Sequence, residues 1–518
     1  MAHHPLRFSS LLRPLLLLSA ALSLLLLLLL LLRSPSSPST TTTSFAAAPP
    51  STPETTKTSP RHLLFGIASS SRSFSRRREI LRLWWRPGAA RGVVFLDSPL
   101  PSSDDGDDRA LPPTRVSADA SRFPYSFRGG LRSAIRVARI VKELVDDPPG
   151  SSSSSDDDHG DVRWVVLGDD DTVFVLENLV DILAKYDWRE WYYVGGRSEM
   201  ADQNAKHSFG MAFGGGGIAI SYPLARVLAR VLDSCLMRYP HLYGSDARIY
   251  ACLAELGVEL SYEPGFHQID LHGDISGLLT AHPLSPLISL HHFDRVAPLF
   301  PGMNHTMALK HFFKAVEVDP RGILQQTVCY DRLRSRTVSV SWGYAVQVFE
   351  GNQLLPDVLS VQKTFFPWKR GRNASSYGVY MFNTREYPRD QCQRPTIFFL
   401  KNMLVEKDRI QSNYSRHLSG KCLLSPNSAR NLRIVTVNSQ RLIRTIGKLY
   451  LENAFLYCLR SPKRPNSSML KLEIGASASS DYKAPRRRCC NVLRSSSDIF
   501  MNIEIRKCKD DELIAMRP

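Results

Sequence analysis

The chain has 518 residues, 43% of them hydrophobic and 22% charged, which supports two or three domains and excludes a wholly disordered or fibrous protein. The 66 Lys and Arg against 49 Asp and Glu leave a formal net charge of +17. These basic residues are scattered, without a zinc-finger, RRM or helix-turn-helix signature, so nucleic acid is not the expected partner.

The N-terminus is read first. Leu15 to Leu32 is uncharged and almost wholly apolar. At about 1.5 Å per residue it roughly spans a hydrocarbon core. Arg7 and Arg13 precede it, which assigns residues 1–14 to a cytosolic tail and 15–32 to a type II signal anchor. A cleaved signal peptide would carry a shorter apolar region, about 7–15 residues, and a small-residue cleavage site. Arg33-Ser-Pro-Ser-Ser does not supply one. Residues 33–61, rich in Ser, Thr and Pro, read as a stem that cannot bury enough apolar surface to fold.

Folded sequence begins at His62. Leu63 to Ala68 is a short apolar run, Arg76 to Trp85 reads as a helix, and Arg91 to Asp97 as a second strand. Ser133 to Val145 has helical spacing, and Val162 to Gly168 is a third strand. Strands alternating with helices imply a largely parallel sheet. Acidic insertions at Ser102–Asp108 and Asp146–Asp161 interrupt it. From about Thr327 strand-like runs dominate: Thr337 to Val348, Thr396 to Leu400 and Leu432 to Val437. These set a mainly β C-terminal domain at 327–518. Seven of the nine cysteines lie at or beyond Cys329, with no CxxC pair of zinc spacing. In a lumenal protein they form a disulfide framework with one thiol left over. Sequons at Asn304, Asn373, Asn413 and Asn466 fit lumenal exposure.

The sharpest motif is Trp164-Val-Val-Leu-Gly-Asp-Asp-Asp-Thr-Val-Phe174, a hydrophobic strand running into three carboxylates. Ligand sites in open α/β sheets sit at the carboxyl ends of strands. Adjacent carboxylates there repel unless a cation lies between them, and Mg²⁺ or Mn²⁺ can bridge carboxylate and diphosphate oxygens. Asp156-Asp157-Asp158 repeats the triplet inside a serine tract with no strand before it, and is read as solvated loop. The plainer reading of Asp169 to Asp171 is a helix cap, since Leu176 to Tyr186 looks helical. Downstream come Trp191-Tyr-Tyr-Val-Gly-Gly and Phe213-Gly-Gly-Gly-Gly, whose glycines let backbone approach a ligand and whose apolar flank leads into a helix from Pro223 to Tyr239. Asp246, in Tyr243-Gly-Ser-Asp, is either a first-turn acid or a general base for an acceptor hydroxyl. Pro264-Gly-Phe-His and Ser289-Leu-His-His bring imidazoles, and His291 or His292 could complete a metal shell.

In this order, the DDD on a strand, YYVGG, FGGGG, GSD, GFHQ and S-x-HH resemble the plant Fringe-related family, a branch of the inverting β-1,3-glycosyltransferases that include Fringe and core-1 galactosyltransferase. The resemblance covers about His62 to Asp331. It implies an α/β fold: a GT-A-like nucleotide-sugar-binding domain on a mainly parallel sheet over 62–326, then the mainly β, disulfide-containing C-terminal domain. It also implies transfer of a hexose or N-acetylhexosamine from a UDP-sugar to a glycan or glycoprotein acceptor, through a β-1,3 linkage, in the Golgi membrane. By family motif, Asp171 and His291 (His292 the next choice) hold Mn²⁺ or Mg²⁺, Asp246 is the catalytic base, and Asp97, Asp169, Asp170, Gly215 and Gly216 contact the donor. The glycine run is longer than the family's usual Gly-Gly-x-Gly. The competing expectation is a lumenal carbohydrate-binding protein that keeps this fold without catalysis.

Overall fold

Strands whose residues are apolar on both faces build the centre of the molecule. The structure is a computed structural model, and it describes residues 57–101, 109–149, 161–368, 379–417, 422, 428–442, 487–493, 495, 499–509 and 512–515. The expected anchor at 15–32, most of the stem, the Ser102–Asp108 insertion, the Asp156–Asp158 triplet, Cys458, Asn373 and Asn466 lie outside these residues. Among the described residues no helix is long and apolar enough to cross a membrane.

The first sheet contains β1 (Leu63–Ala68), β2 (Arg91–Leu96), β3 (Thr114–Val116) and β4 (Trp164–Asp169). A two-residue β5 (Val173–Phe174) follows, and β6 (Tyr193–Gly195), β7 (Ile218–Ser221) and β8 (Leu260–Tyr262) complete the sheet in the order β3-β2-β1-β4-β7-β6-β8. Six of its seven strands run the same way, and β7 alone runs against both its neighbours, β4 and β6. The other pairs are parallel, with Leu63 opposite Trp164 and Ala68 opposite Asp169 at the centre. The sequence pattern leads from the glycine run straight into a helix. The apolar stretch after the glycines is in fact strand β7, because a short apolar run has no period that separates strand from helix.

Both faces of this sheet are covered, which is why its central strands read as unbroken apolar runs. Leu63, Phe65, Trp164 and Val166 bury into one cluster; Leu64, Val165 and Leu167 bury into another. The second cluster is closed by α2 (Ser133–Asp146), α5 (Tyr222–Arg238) and α6 (Gly244–Glu255), through Ile135, Val141, Leu228 and Leu253. The first cluster takes Leu81 and Trp84 of α1 (Ser71–Trp84) and Leu179 and Ile182 of α3 (Leu176–Leu183). A seven-residue α4 (Ala201–His207) lies between β6 and β7. Helix α1 starts five residues before the expected Arg76. Ser70 and Ser73 cap it reciprocally, a role a serine-rich stretch conceals when it is read as loop.

Three short strands follow the first sheet: β9 (Phe266–His267), β10 (Leu271–Gly273) and β11 (Ser289–Leu290). Two of them, β9 and β11, form a small sheet with β5. β11 pairs with β5 and β9, Leu290 lying opposite Val173 and His267. This register carries the residues after Leu290 to the carboxylates before Val173.

The second large sheet begins at β12 (Gln326–Asp331), followed by β13 (Arg336–Ser341) and β14 (Ala345–Glu350). The single strand expected over Thr337 to Val348 is the β13–β14 hairpin, because Trp342-Gly343-Tyr344 turns the chain with Gly343 at φ +78°. β15 (Val361–Gln362), β16 (Phe365–Pro367) and β17 (Thr384–Arg385) pair outside this sheet. β18 (Thr396–Glu406), β19 (Arg409–His417), β20 (Ile434–Gln440), β21 (Cys489–Leu493) and β22 (Phe500–Arg506) complete eight strands, ordered β12-β13-β14-β18-β19-β20-β22-β21. One apolar cluster runs without a break from Phe65 and Phe174 through Phe300 and Phe312 to Val340, Val346 and Tyr414. Disulfides join Cys235–Cys252, Cys329–Cys490, Cys392–Cys422 and Cys489–Cys508.

Candidate active site

The three carboxylates end β4, and consecutive residues there turn to different sides. Asp170 is buried and faces α1, accepting hydrogen bonds from Ser69 Oγ at 2.7 Å, Ser73 Oγ at 2.6 Å and Arg77 at 2.7 Å. Asp169 and Asp171 face the other way, toward His291. The His291 Nε2 lies 3.1 Å from Asp171 Oδ1 and 3.5 Å from Asp169 Oδ2. Arg77 bridges the two groups, 3.1 Å from the second oxygen of Asp171. The triplet caps no helix, since β5 separates it from α3.

One donor atom each from Asp169, Asp171 and His291 lies within 4.8 Å of the others. Two carboxylates and an imidazole so close form a donor set for a hard or borderline divalent cation. Burial disfavours charge on His291, but the Asp171 and Asp169 carboxylates outweigh it and hold its pKa well above the usual value. Asp171 also loses water on burial, yet His291 and Arg77 keep it ionised far below the usual carboxylate range. The residues fit such a cation.

The glycine run presses against this cluster. A Cβ on Gly215 would stand 2.2 Å from His291 Cε1, and one on Gly214 would stand 2.5 Å from Asp246 Oδ1. The Gly215 carbonyl accepts from Thr172 Oγ1 at 2.7 Å, and the Gly216 amide donates to Gln268 Oε1 at 2.7 Å. The turn therefore carries its backbone between the metal-type cluster and the N-terminus of α6. There Asp246 lies half-buried, with Ser245 Oγ at 3.0 Å. Burial and the nearby Asp169 charge push the Asp246 carboxyl up to about 6, against the pull of the Gly214 amide and Ser245.

A cavity of about 380 Å³ joins these groups, lined by Asp169, Gly215, Asp246, Gln268, His291 and His292 among others. Asp97 is not in its lining. It is exposed beyond β2 and accepts the Ser71 amide at 2.8 Å, at the start of α1. His292 lines the cavity but is not a member of the Asp169–Asp171–His291 donor set. Its Nδ1 is 3.6 Å from Asp270 Oδ1, and burial with the neighbouring His291 charge lowers its pKa to about 3.

Several site residues are absent from the sequence reading. Asp270 is buried, takes a 2.5 Å hydrogen bond from Ser198 Oγ, and is pushed up to about 7 by burial and by Glu199. Glu199 also receives the Asp270 amide and faces His267, which contacts His282 at 2.9 Å. Asp270 lies two residues after Phe266-His267-Gln268, and that proximity to a quoted motif is the signal that could have found it. Arg77, inside the run Arg76-Arg77-Arg78, carries no such signal.

Part of the chain is similar to known proteins. A family described as a protein of unknown function, DUF604, matches residues 203–454. A beta-1,3-glucosyltransferase of Mus musculus is 30% identical over 110 residues, covering 21% of this chain and 22% of that protein. A beta-1,3-glucosyltransferase of Homo sapiens is 30% identical over 105 residues, 20% of each chain. The chain thus spans about a fifth of the length of the curated relatives it matches. Over these stretches the chain is similar to beta-1,3-glucosyltransferases.

Proposed function

We propose that this protein is a metal-dependent inverting glycosyltransferase that moves a hexose or N-acetylhexosamine from a UDP-sugar to a glycan hydroxyl, forming a β-1,3 linkage. The supporting observation is one cavity that Asp169 and His291 of the Asp169–Asp171–His291 donor set line together with a separate carboxylate, Asp246, whose acidity burial has shifted to about 6. On this reading the first sheet is a GT-A-like nucleotide-sugar-binding layer. The protein is a type II Golgi membrane protein with its site in the lumen.

Asp171, His291 and Asp169 would hold Mn²⁺ or Mg²⁺, which when bound would neutralise charge on the departing diphosphate. The protein's own residues do the rest. Asp246 accepts the acceptor's hydroxyl proton as that oxygen bonds the anomeric carbon and UDP leaves from the opposite side. The Gly214–Gly216 turn fixes the spacing between base and donor set, and such positioning supplies much of the rate. Asp170 acts at one remove, holding Arg77, which in turn orients Asp171. Asp97, at the exposed end of β2, is offered to the nucleotide.

The test is UDP release by the full-length chain, offered a panel of UDP-sugars and glycan acceptors with Mn²⁺, with and without EDTA. Release that EDTA abolishes and that Asp171→Ala lacks is the expected result. A folded protein that binds neither UDP nor Mn²⁺ would overturn the enzyme reading in favour of a carbohydrate-binding one.

A further inference from the structure

One part of the cavity wall comes from far along the chain. Trp368 lines it, delivered by β16, which runs antiparallel to β10 with Leu271 opposite Pro367. The indole stacks on His272, with ring centroids 4.8 Å apart and planes within 4°. It also stacks on His292, at 4.6 Å and 17°. His272 Nε2 lies 3.1 Å from the Trp368 carbonyl oxygen, which fixes the backbone at the same point.

His292 needs such a grip. Its φ is +57°, a left-handed backbone state that residues with a side chain seldom adopt. Ile269, whose carbonyl lies 3.3 Å from His292 Nδ1, is at φ +55°, and a β-branched residue there is a stronger outlier still. Strained backbone of this kind persists only where surrounding contacts over-determine it. His292 is held at its Nδ1 edge by Ile269 and Asp270 and on its face by Trp368. Its ring centroid is in turn 3.9 Å from that of His291. Contacts therefore run without a gap from the indole to the imidazole that faces Asp169 and Asp171.

We infer that Trp368 is a positioning residue: its indole clamps His292, and through it holds His291 against the two carboxylates, so that the C-terminal β region completes the metal-type cluster. The clamp stands on the contacts themselves; only its metal consequence rests on the function proposed above. Both imidazoles that flank the indole belong to the first part of the chain, so the clamp also closes the 365–368 segment onto the cavity.

The clamp is tested on the full-length, metal-free chain by diethyl pyrocarbonate modification, with His291 and His292 followed by peptide mapping. Wild type should protect both rings. Trp368→Leu, which fills space without an aromatic face, should expose them several-fold, and Trp368→Phe should restore protection. Circular dichroism checks that each variant is folded. Protection in Trp368→Leu equal to wild type would overturn the inference, as would equal exposure in the Leu and Phe variants. A titration of free Mn²⁺ by electron paramagnetic resonance then reads the consequence: affinity about tenfold weaker or more in Trp368→Leu, and near wild type in Trp368→Phe. If wild type takes up no Mn²⁺, the metal reading fails, while the histidine reactivity still decides the clamp.

Discussion

Asp246 lines the cavity and Asp171 lies buried behind it against His291, and their surroundings drive their acidities apart. Asp171 stays ionised beside His291 and Arg77, while burial raises Asp246 to about 6. A base must be unprotonated to act, so turnover should climb as pH rises through about 6 and level off above it. A bound cation would move that limb lower by favouring the ionised carboxylate. Asp246→Asn should lose the limb and cut kcat by about 10²–10⁴-fold while donor affinity persists, read from pH–rate profiles and UDP binding. The glycines separate the two roles. Gly215→Ala should push His291 aside and weaken Mn²⁺ binding by about tenfold or more. Gly214→Ala should strike Asp246, lowering kcat with metal affinity intact. If both substitutions move metal binding alike, the division of labour within the turn is wrong. At this scale the sequence reveals which residue types gather, because a strand ending in carboxylates is a local pattern. It does not reveal that Asp170 turns away from its neighbours. That depends on Ser69, Ser73 and Arg77, roughly a hundred residues earlier, and no local period records such a partnership.

Single elements carry the site by their ends. Helix α1 offers Arg77 to Asp170 and Asp171, and its start is fixed by the Ser70 cap and by Asp97, which accepts the Ser71 amide. Ser70→Ala should cost about 1 kcal/mol of stability, measured as a shift in the urea midpoint. Helix α6 carries Asp246 in its first turn and is tied to α5 by Cys235–Cys252, whose cysteines lie 17 residues apart. Replacing both cysteines with alanine should cost about 3 kcal/mol by the loop-entropy estimate. Unchanged stability would mean that the buried contacts of Leu228, Leu232 and Leu253 alone hold the pair. Three of the seven strands of the first sheet, β1, β2 and β4, were legible, because each is an unbroken apolar run. The direction of β7 was not. An apolar four-residue strand looks the same whichever way it runs, and its pairing with β4 and β6 is decided by distant partners.

Across the whole molecule, a change of composition near Thr327 marks where the second large sheet begins at Gln326. What composition does not record is the apolar cluster running across that point, with Phe300, Phe312 and Phe313 packed in the same core as Val338, Val340 and Val346. A fragment ending near residue 326 should therefore expose this apolar face and bind a hydrophobic dye. A soluble fragment with a sharp unfolding transition would refute that expectation. The net charge of +17 has no counterpart in the site geometry and finds no structural account.

The strands that flank the cavity also interlock in order of synthesis. The Glu199 carbonyl accepts the Met381 amide at 2.9 Å, the Val379 carbonyl accepts the Ala201 amide at 2.9 Å, and Trp368 meets His292. A nascent chain emerging at roughly 5–20 residues per second must therefore wait some tens of seconds between delivering the first carboxylate and the last aromatic of one cavity. Through that interval the ribosome holds a half-built wall, so the imidazole pair meets its carboxylates late, and a chaperone has its longest access to the strands that will close around them.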